Sequence, residues 1–237
     1  MSRAGGSGTT GSRATRSRAA AGPELSAAAD WHLGAPELSA AAEWRLTALL
    51  LARPRSGWSE EIEALVREVQ EPALRAAAAA THAASEGAYL RLVGPGGAVS
   101  PREVTYRPFE DPGWVLADLK SYYEAFAFRP RAEDPIDHVA VETDFVGYLL
   151  LKEAFARARG NTDGALVASE ARTRFLACHL AAIAEPFAER LATAGPTHLA
   201  TAARVLAERA PRPPRPPAGL VARPESPEPP EGCGSCT

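Results

Sequence analysis

This sequence is poor in the residues that build sheets, disulfide frameworks or membrane spans. Valine and isoleucine are sparse beside abundant alanine, which favours helices over sheets. The chain has three cysteines, Cys178, Cys233 and Cys236, too few and too clustered for a disulfide framework, so we expect a reducing cytoplasmic location. No apolar run approaches the roughly 20 residues that a membrane-spanning helix needs. We therefore expect no membrane span.

Acidic residues are absent from residues 1–22, which contain four arginines, Arg3, Arg13, Arg16 and Arg18. The whole chain has a net charge of −3, so the remainder carries −7. A mildly acidic body argues against a dedicated nucleic-acid binder. No two of these arginines are adjacent and no apolar segment follows them, so we predict a disordered basic tail and not a secretory or twin-arginine signal.

A short segment is duplicated just after this tail. PELSAAADWHL at 23–33 recurs as PELSAAAEWRL at 36–46. Two copies 13 residues apart are too few and too short for a solenoid. We interpret residues 23–35 as a duplicated helix start that precedes the main domain.

Helical periodicity extends over residues 36–210, and no strand-like alternation interrupts it. The first helix is predicted at about 36–53, and a restart or kink is expected at Pro186. Residues 211–237 form a proline-rich segment that ends in Cys-Gly-Ser-Cys, which is typical of a solvated tail. The sequence thus predicts an all-α fold, a single helical-bundle-like domain with disordered N- and C-terminal tails.

The stretch EDPIDHVAVETDFVGYLLLKEAF at 133–155 has the strongest helix start of the chain. Asp134 is the expected N-cap, Pro135 the first helical residue and Asp137 the third. His138 and Glu142 are four residues apart and share a helix face that leads into an apolar stripe. We expect either a capped helix with a solvated first turn, or a polar anchor beside an apolar groove that suits a peptide or small ligand.

Several motifs follow one another at fixed spacing. Pro135, Asp137-His138, Glu142 and Phe145 form P-x-D-H-x-x-x-E-x-x-F. Ser100-Pro101 with Tyr106 forms S-P-x-x-x-x-Y, residues 175–180 form F-L-x-x-H-L, and Pro186-Phe187 follows. Over roughly Leu46–Ala210, this order resembles TorD/NarJ-like chaperones.

The resemblance implies an all-helical, cytoplasmic and non-enzymatic chaperone that needs no cofactor of its own. Its partner would be the precursor of a molybdopterin oxidoreductase, bound through a twin-arginine signal peptide and held until its cofactor is inserted. The apolar part of such a peptide needs a groove, and its arginines need carboxylates. The predicted groove residues are Tyr122, Phe126, Phe145 and Leu149, and the predicted polar anchors are Asp134, Asp137, His138 and Glu142.

Two other functions remain open at this point. The first is a metal-binding or metal-transfer protein that uses His138 and Glu142, or the pair Cys233 and Cys236. Two ligands leave a zinc site incomplete, and the further candidates Asp137, Cys178 and His179 do not stand at metal spacing. The second is a helical adaptor with no small ligand.

Overall fold

The computed structural model describes residues 35–131 and 134–212, and within them every regular element is a helix and none is a strand. The predicted all-α fold is therefore confirmed. The first copy of the duplicated segment at 23–33, the predicted tail at 1–22, and Cys233 and Cys236 lie outside the described residues. The helices are α1 (Ala35–Leu51), α2 (Trp58–Val66), α3 (Pro72–Ala79), α4 (Glu86–Val93), α5 (Pro112–Ala125), α6 (Val139–Ala158), α7 (Thr162–Phe175), α8 (Ala181–Ala194) and α9 (Thr197–Arg209).

Helix α6 lies at the centre of the core, and α1 packs antiparallel along it. Salt bridges fix this register at two points, Arg45 to Asp144 at 2.7 Å and Arg157 to Glu37 at 3.2 Å. Between them the helices approach closely at Gly147, where an added Cβ would lie 3.3 Å from the Cβ of Trp44. The second copy of the duplicated segment thus packs directly against the central helix.

Helices α7 and α8 are joined without a loop by a π-helical turn at Leu176–Leu180. His179 and Leu180 of this turn are both buried. Of the two alternatives predicted at Pro186, the restart is wrong, because Pro186 lies inside α8, and the kink stays a prediction. The irregular point of this long helix is the π turn.

Helix α5 attaches to the body through aromatic rings. Tyr122 and Tyr123 contact the rings of Phe145 and Phe175 with centroid distances of 4.9 to 6.4 Å. The helix ends at Ala125, and Ala127, two residues further on, has a left-handed φ of 54°. The Phe128 N–H donates to the Tyr123 carbonyl across this residue, and the two rings are in contact, as in a Schellman ending.

Among the helices of the described ranges, none is both long and apolar enough to cross a membrane.

Candidate functional site

Helix α6 begins at Val139, so the predicted start at Asp134 is wrong. His138 is the N-cap, and its Nδ1 accepts a hydrogen bond from the Ala140 N–H at 3.1 Å. Residues 135–138 form a turn, and the extended backbone of His138 pairs with Arg102 of the S-P-x-x-x-x-Y loop. The Glu103 N–H donates to the Asp137 carbonyl at 2.9 Å, and the Val139 N–H donates to the Pro101 carbonyl at 2.8 Å. Two of the sequence motifs therefore meet as a short antiparallel bridge.

His138 is buried and neutral. Since Nδ1 accepts a hydrogen bond, Nε2 carries the proton and donates to the Tyr89 hydroxyl at 3.1 Å. Tyr89 in turn donates to the Leu51 carbonyl at 3.0 Å. Burial lowers the pKa of His138 to about 4. The imidazole thus links the start of α6 to the end of α1.

Asp137 is fully buried and paired with an arginine from the loop. The Arg102 guanidinium reaches both carboxylate oxygens, with N–O distances of 2.8 to 3.1 Å. Such a two-pronged pair satisfies the carboxylate and leaves it little capacity to accept further hydrogen bonds. The half-exposed guanidinium, and not the carboxylate, reaches the surface here.

A second buried carboxylate, Glu103, joins the loop to the π turn. It accepts from Arg107 Nε at 2.6 Å and lies 3.1 Å from Nδ1 of His179. The other ring nitrogen of His179, Nε2, lies 3.1 Å from Oδ2 of Asp118 on α5. Arg107 also donates to Glu110 at 2.6 Å and contacts the Cys178 carbonyl. A chain of hydrogen-bonding side chains therefore runs from the buried loop to the exposed face of α5.

Glu142 is fully buried, and neither of its carboxyl oxygens has a hydrogen-bond partner in residues 35–131 or 134–212. Burial raises its pKa well above the usual value, and repulsion from Glu103 and Asp137 adds to that rise. Burial therefore favours the protonated form of this carboxyl group. The expectation that Asp137, His138 and Glu142 form an exposed first turn is wrong, because the 100–107 loop covers them.

An open trough with a volume of about 1120 Å³ lies between α5 and α7. Tyr122 and Phe126, both predicted groove residues, line it together with Val167 and Asp118. It continues past Asp118 to the start of α5, where Phe109 and Trp114 are exposed. We call this continuous depression the α5–α7 trough. Its residues are mixed apolar and polar, as in a groove for a peptide.

The structure does not bring all the predicted site residues together. Phe145 and Leu149 are fully buried in the core and do not line the α5–α7 trough. Asp134 and His138 belong to a second depression, the Asp134 cleft, which lies beside α4. The Asp134 cleft is also lined by Arg53, Tyr89, Leu90, Arg102 and residues 94–97. The predicted anchors and the predicted groove are thus on different surfaces.

Five residues that organise this region were not found from the sequence: Tyr89, Arg102, Glu103, Arg107 and Asp118. Three of them lie in or directly after the S-P-x-x-x-x-Y loop. The sequence signal that could have identified these three is their charge. Arg102 and Glu103 are adjacent charged residues in a loop that packs against the start of α6. Tyr89 and Asp118 carry no comparable signal.

The described part of the chain contains no group of three His, Cys, Asp or Glu side chains placed to hold a metal ion. Both ring nitrogens of His138 are engaged, by Ala140 and Tyr89, and those of His179 face carboxylates. Cys178 is exposed. The Cys233 and Cys236 pair lies outside the described residues, so that alternative stays a hypothesis.

Comparison with protein-family models gives a match over residues 56–189 to the nitrate reductase delta subunit family. Comparison with curated proteins and with solved structures gives no match. The family consists of chaperones and not of catalytic enzymes, and its members interact with nitrate reductase-type molybdoenzymes. The match covers more than half of the chain and confirms the resemblance to TorD/NarJ-like chaperones. The chain therefore belongs to the nitrate reductase delta subunit family, whose members assist the maturation of molybdoenzymes.

Proposed function

We propose that this chain is a cytoplasmic, non-catalytic chaperone for the catalytic subunit of a molybdopterin oxidoreductase. It binds the twin-arginine signal peptide of the apo precursor, assists insertion of the cofactor, and releases the precursor for export. Membership of the family supports the class of client. The observation that carries the peptide-binding part is the open α5–α7 trough with Tyr122 and Phe126 on its surface.

The trough has the dimensions and the chemistry for the apolar part of a signal peptide. Its wall, α5, has 14 residues, which corresponds to a length of about 21 Å at 1.5 Å per residue. A helical peptide of similar length can lie along it with one apolar face inward. Tyr122 and Phe126 are half-buried, and the fully buried Phe145 and Phe175 support them from below. Rigid aromatic rings provide contact area at a low cost in side-chain entropy.

The buried residues of the P-x-D-H motif have a different role in this proposal. Asp137 and Glu142 are fully buried, so in this conformation they cannot touch a peptide. We assign them, with His138, the task of holding the 100–107 loop and the start of α6 in place. Asp134 is partly exposed in the Asp134 cleft and remains a candidate anchor for a basic group there.

Peptide binding by single-site variants tests which surface is used. A labelled signal peptide is titrated with the wild-type chain, with Phe126→Ala and with Leu90→Ala, and fluorescence anisotropy gives the Kd. Leu90 is a matched control, because it is an exposed apolar residue that lines the Asp134 cleft. We expect Phe126→Ala to weaken binding about 10-fold and Leu90→Ala less than about twofold, in line with the loss of a buried aromatic contact.

The reverse result would place the peptide in the Asp134 cleft. If the wild-type chain captures the precursor but does not bind the isolated peptide, recognition involves the folded part of the client. If it captures neither, the helical-adaptor alternative gains support. Melting curves of each variant separate loss of binding from loss of folding.

A further inference from the structure

We propose that Asp118 is the residue of the α5–α7 trough that recognises a basic side chain of the client, and that His179 is the positioning residue that holds its carboxylate. This inference rests on the proposed function and adds two points to it. It names the charge that the trough selects, and it gives the direction in which the peptide lies.

Asp118 is at the middle of the trough, because it lines both the half beside Tyr122 and the half beside Trp114. Its side chain is 59% exposed although one oxygen is held from below. Oδ2 lies 3.1 Å from Nε2 of His179, while Oδ1 makes no hydrogen bond with the part of the chain that the structure describes. A fixed carboxylate thus presents an open oxygen to the trough.

His179 cannot move easily, so it holds the carboxylate firmly. Its ring is 3% exposed and packs against the rings of Phe175 and Tyr122 at centroid distances of 4.8 and 5.7 Å. Nδ1 faces Glu103, which Arg107 fixes in turn. An ordinary surface carboxylate loses side-chain entropy when it binds a cation, which is why exposed ion pairs contribute little. Asp118 is already oriented, so less entropy is lost when a cation binds.

The charges on either side of Asp118 differ, and this difference sets the direction of the peptide. Towards the start of α5 the surface carries Glu110 and Asp111, and the 78% exposed ring of Trp114 offers a face for a cation. Arg107 also lines that half, but it already bonds Glu103 and Glu110.

Towards Phe126 the trough is lined by Glu170 and Arg174, whose charges cancel. That half therefore has no net charge from these two residues to attract a basic group. The peptide therefore lies with its basic end at Trp114 and with its apolar part beside Tyr122, Phe126 and Val167.

Two synthetic probes test the inference. The Arg-Arg probe is a labelled peptide with an arginine pair followed by an apolar stretch, and the Gln-Gln probe differs only in that both arginines are replaced by glutamine. Binding of each probe is measured for the wild-type chain, Asp118→Asn and Glu124→Gln. Glu124 is a matched control, since it is an exposed acid on the same helix that does not line the trough.

We expect Asp118→Asn to weaken binding of the Arg-Arg probe about 10-fold and binding of the Gln-Gln probe less than about twofold, the usual range for a charge-assisted hydrogen bond. Glu124→Gln should change neither by more than about twofold, as an exposed ion pair contributes little. His179→Gln should weaken binding of the Arg-Arg probe selectively. In the His179→Gln background, Asp118→Asn should reduce the affinity for the Arg-Arg probe by a smaller factor than it does in the wild-type background. The reason is that the two residues act as a unit.

If Asp118→Asn weakens binding of both probes equally, Asp118 maintains the shape of the trough and does not recognise charge. That result would overturn the inference. If Asp118→Asn binds both probes as tightly as the wild type, the inference is also overturned. Weaker probe binding by Phe126→Ala in the same experiment would still support the proposed function. If neither probe binds the wild-type chain, the peptide-binding part of the proposed function fails and this inference fails with it.

Discussion

Glu142 is a fully buried acid whose oxygens have no hydrogen-bond partner among the described residues, beside two other buried carboxylates. Its pKa is raised in the folded state, chiefly by burial. The folded chain therefore keeps a proton that the unfolded chain releases above about pH 4.3. A raised folded-state pKa means that the free energy of unfolding falls as the pH rises from that value to the folded-state pKa.

We predict that Glu142→Gln removes this pH dependence, because glutamine resembles the protonated acid and does not ionise. The free energy of unfolding of Glu142→Gln minus that of the wild type should increase between pH 5 and pH 7, by at most about 1.4 kcal/mol per pH unit for one proton. The lowered pKa of His138 acts in the opposite sense below pH 6.5, but His138 is present in both proteins and its contribution cancels.

Urea denaturation at several pH values measures this difference. Glu63→Gln is the control, because Glu63 is exposed on α2 and the substitution removes a carboxylate outside the core. A Glu142→Gln difference that stays constant between pH 5 and pH 7 would mean that Glu142 is ionised in the folded chain.

At the scale of the elements, the close contact between α1 and α6 depends on Gly147, which has no side chain. A Cβ at position 147 would lie 3.3 Å from both Trp44 Cβ and the Arg45 nitrogen and 3.4 Å from the Ala41 carbonyl oxygen. These distances are short for backbone and Cβ neighbours that cannot rotate away. The helices would have to separate to accept a larger residue.

We predict that Gly147→Val destabilises the chain by about 1–3 kcal/mol, because overpacking forces the two helices apart. Gly147→Ala should be near neutral, since the gain in helix propensity of up to about 1 kcal/mol offsets the tight contact. Gly87→Ala is the control in an open helical site, where the added Cβ meets only the flexible end of Arg91 at 3.6 Å. Chemical denaturation of the three variants gives the free energies, and a wild-type value for Gly147→Val would contradict the close packing.

Helix positions could be predicted from the sequence better than helix ends. The apolar periodicity of α1 predicted a helix at 36–53, within two residues of the observed end at Leu51. The start of α6 was misplaced because Asp134-Pro135 has the local pattern of a cap, while His138 has an extended backbone and forms a bridge with Arg102 of the 100–107 loop. Local sequence cannot report a pairing between segments about 35 residues apart.

At the scale of the whole molecule, motif spacing located the right segments but not their exposure. The loop with Ser100, the helix with His138 and the π turn with His179 do meet. The spacing places His138 and Glu142 on one face, but whether that face is solvated depends on what covers it. The 100–107 loop covers Asp137, His138 and Glu142, which were predicted to be exposed. The open surface lies between α5 and α7.

The same view of the whole molecule predicts what can be removed. Among the described residues, the main apolar cluster lies between Ala42 and Ala210. Residues 1–22 and the proline-rich segment after Arg212 contain little apolar surface to bury. We predict that a chain of residues 23–212 keeps the melting temperature and the signal-peptide affinity of the full chain.

A cut after Leu199 is the contrasting control, because it removes the buried Ala202, Ala203, Val205 and Leu206 of α9. That cut should abolish cooperative unfolding, since losing several core side chains exceeds the stability of an ordinary domain, about 5–15 kcal/mol. Calorimetry and peptide titration measure both properties. Lost affinity in the 23–212 chain would show that the binding surface extends beyond the helical body. Unchanged affinity together with a lower yield of active client would instead give one of the removed tails a role after binding. The same defect in a chain of residues 1–212 would assign that role to the segment with Cys233 and Cys236 and would support a metal-transfer arm.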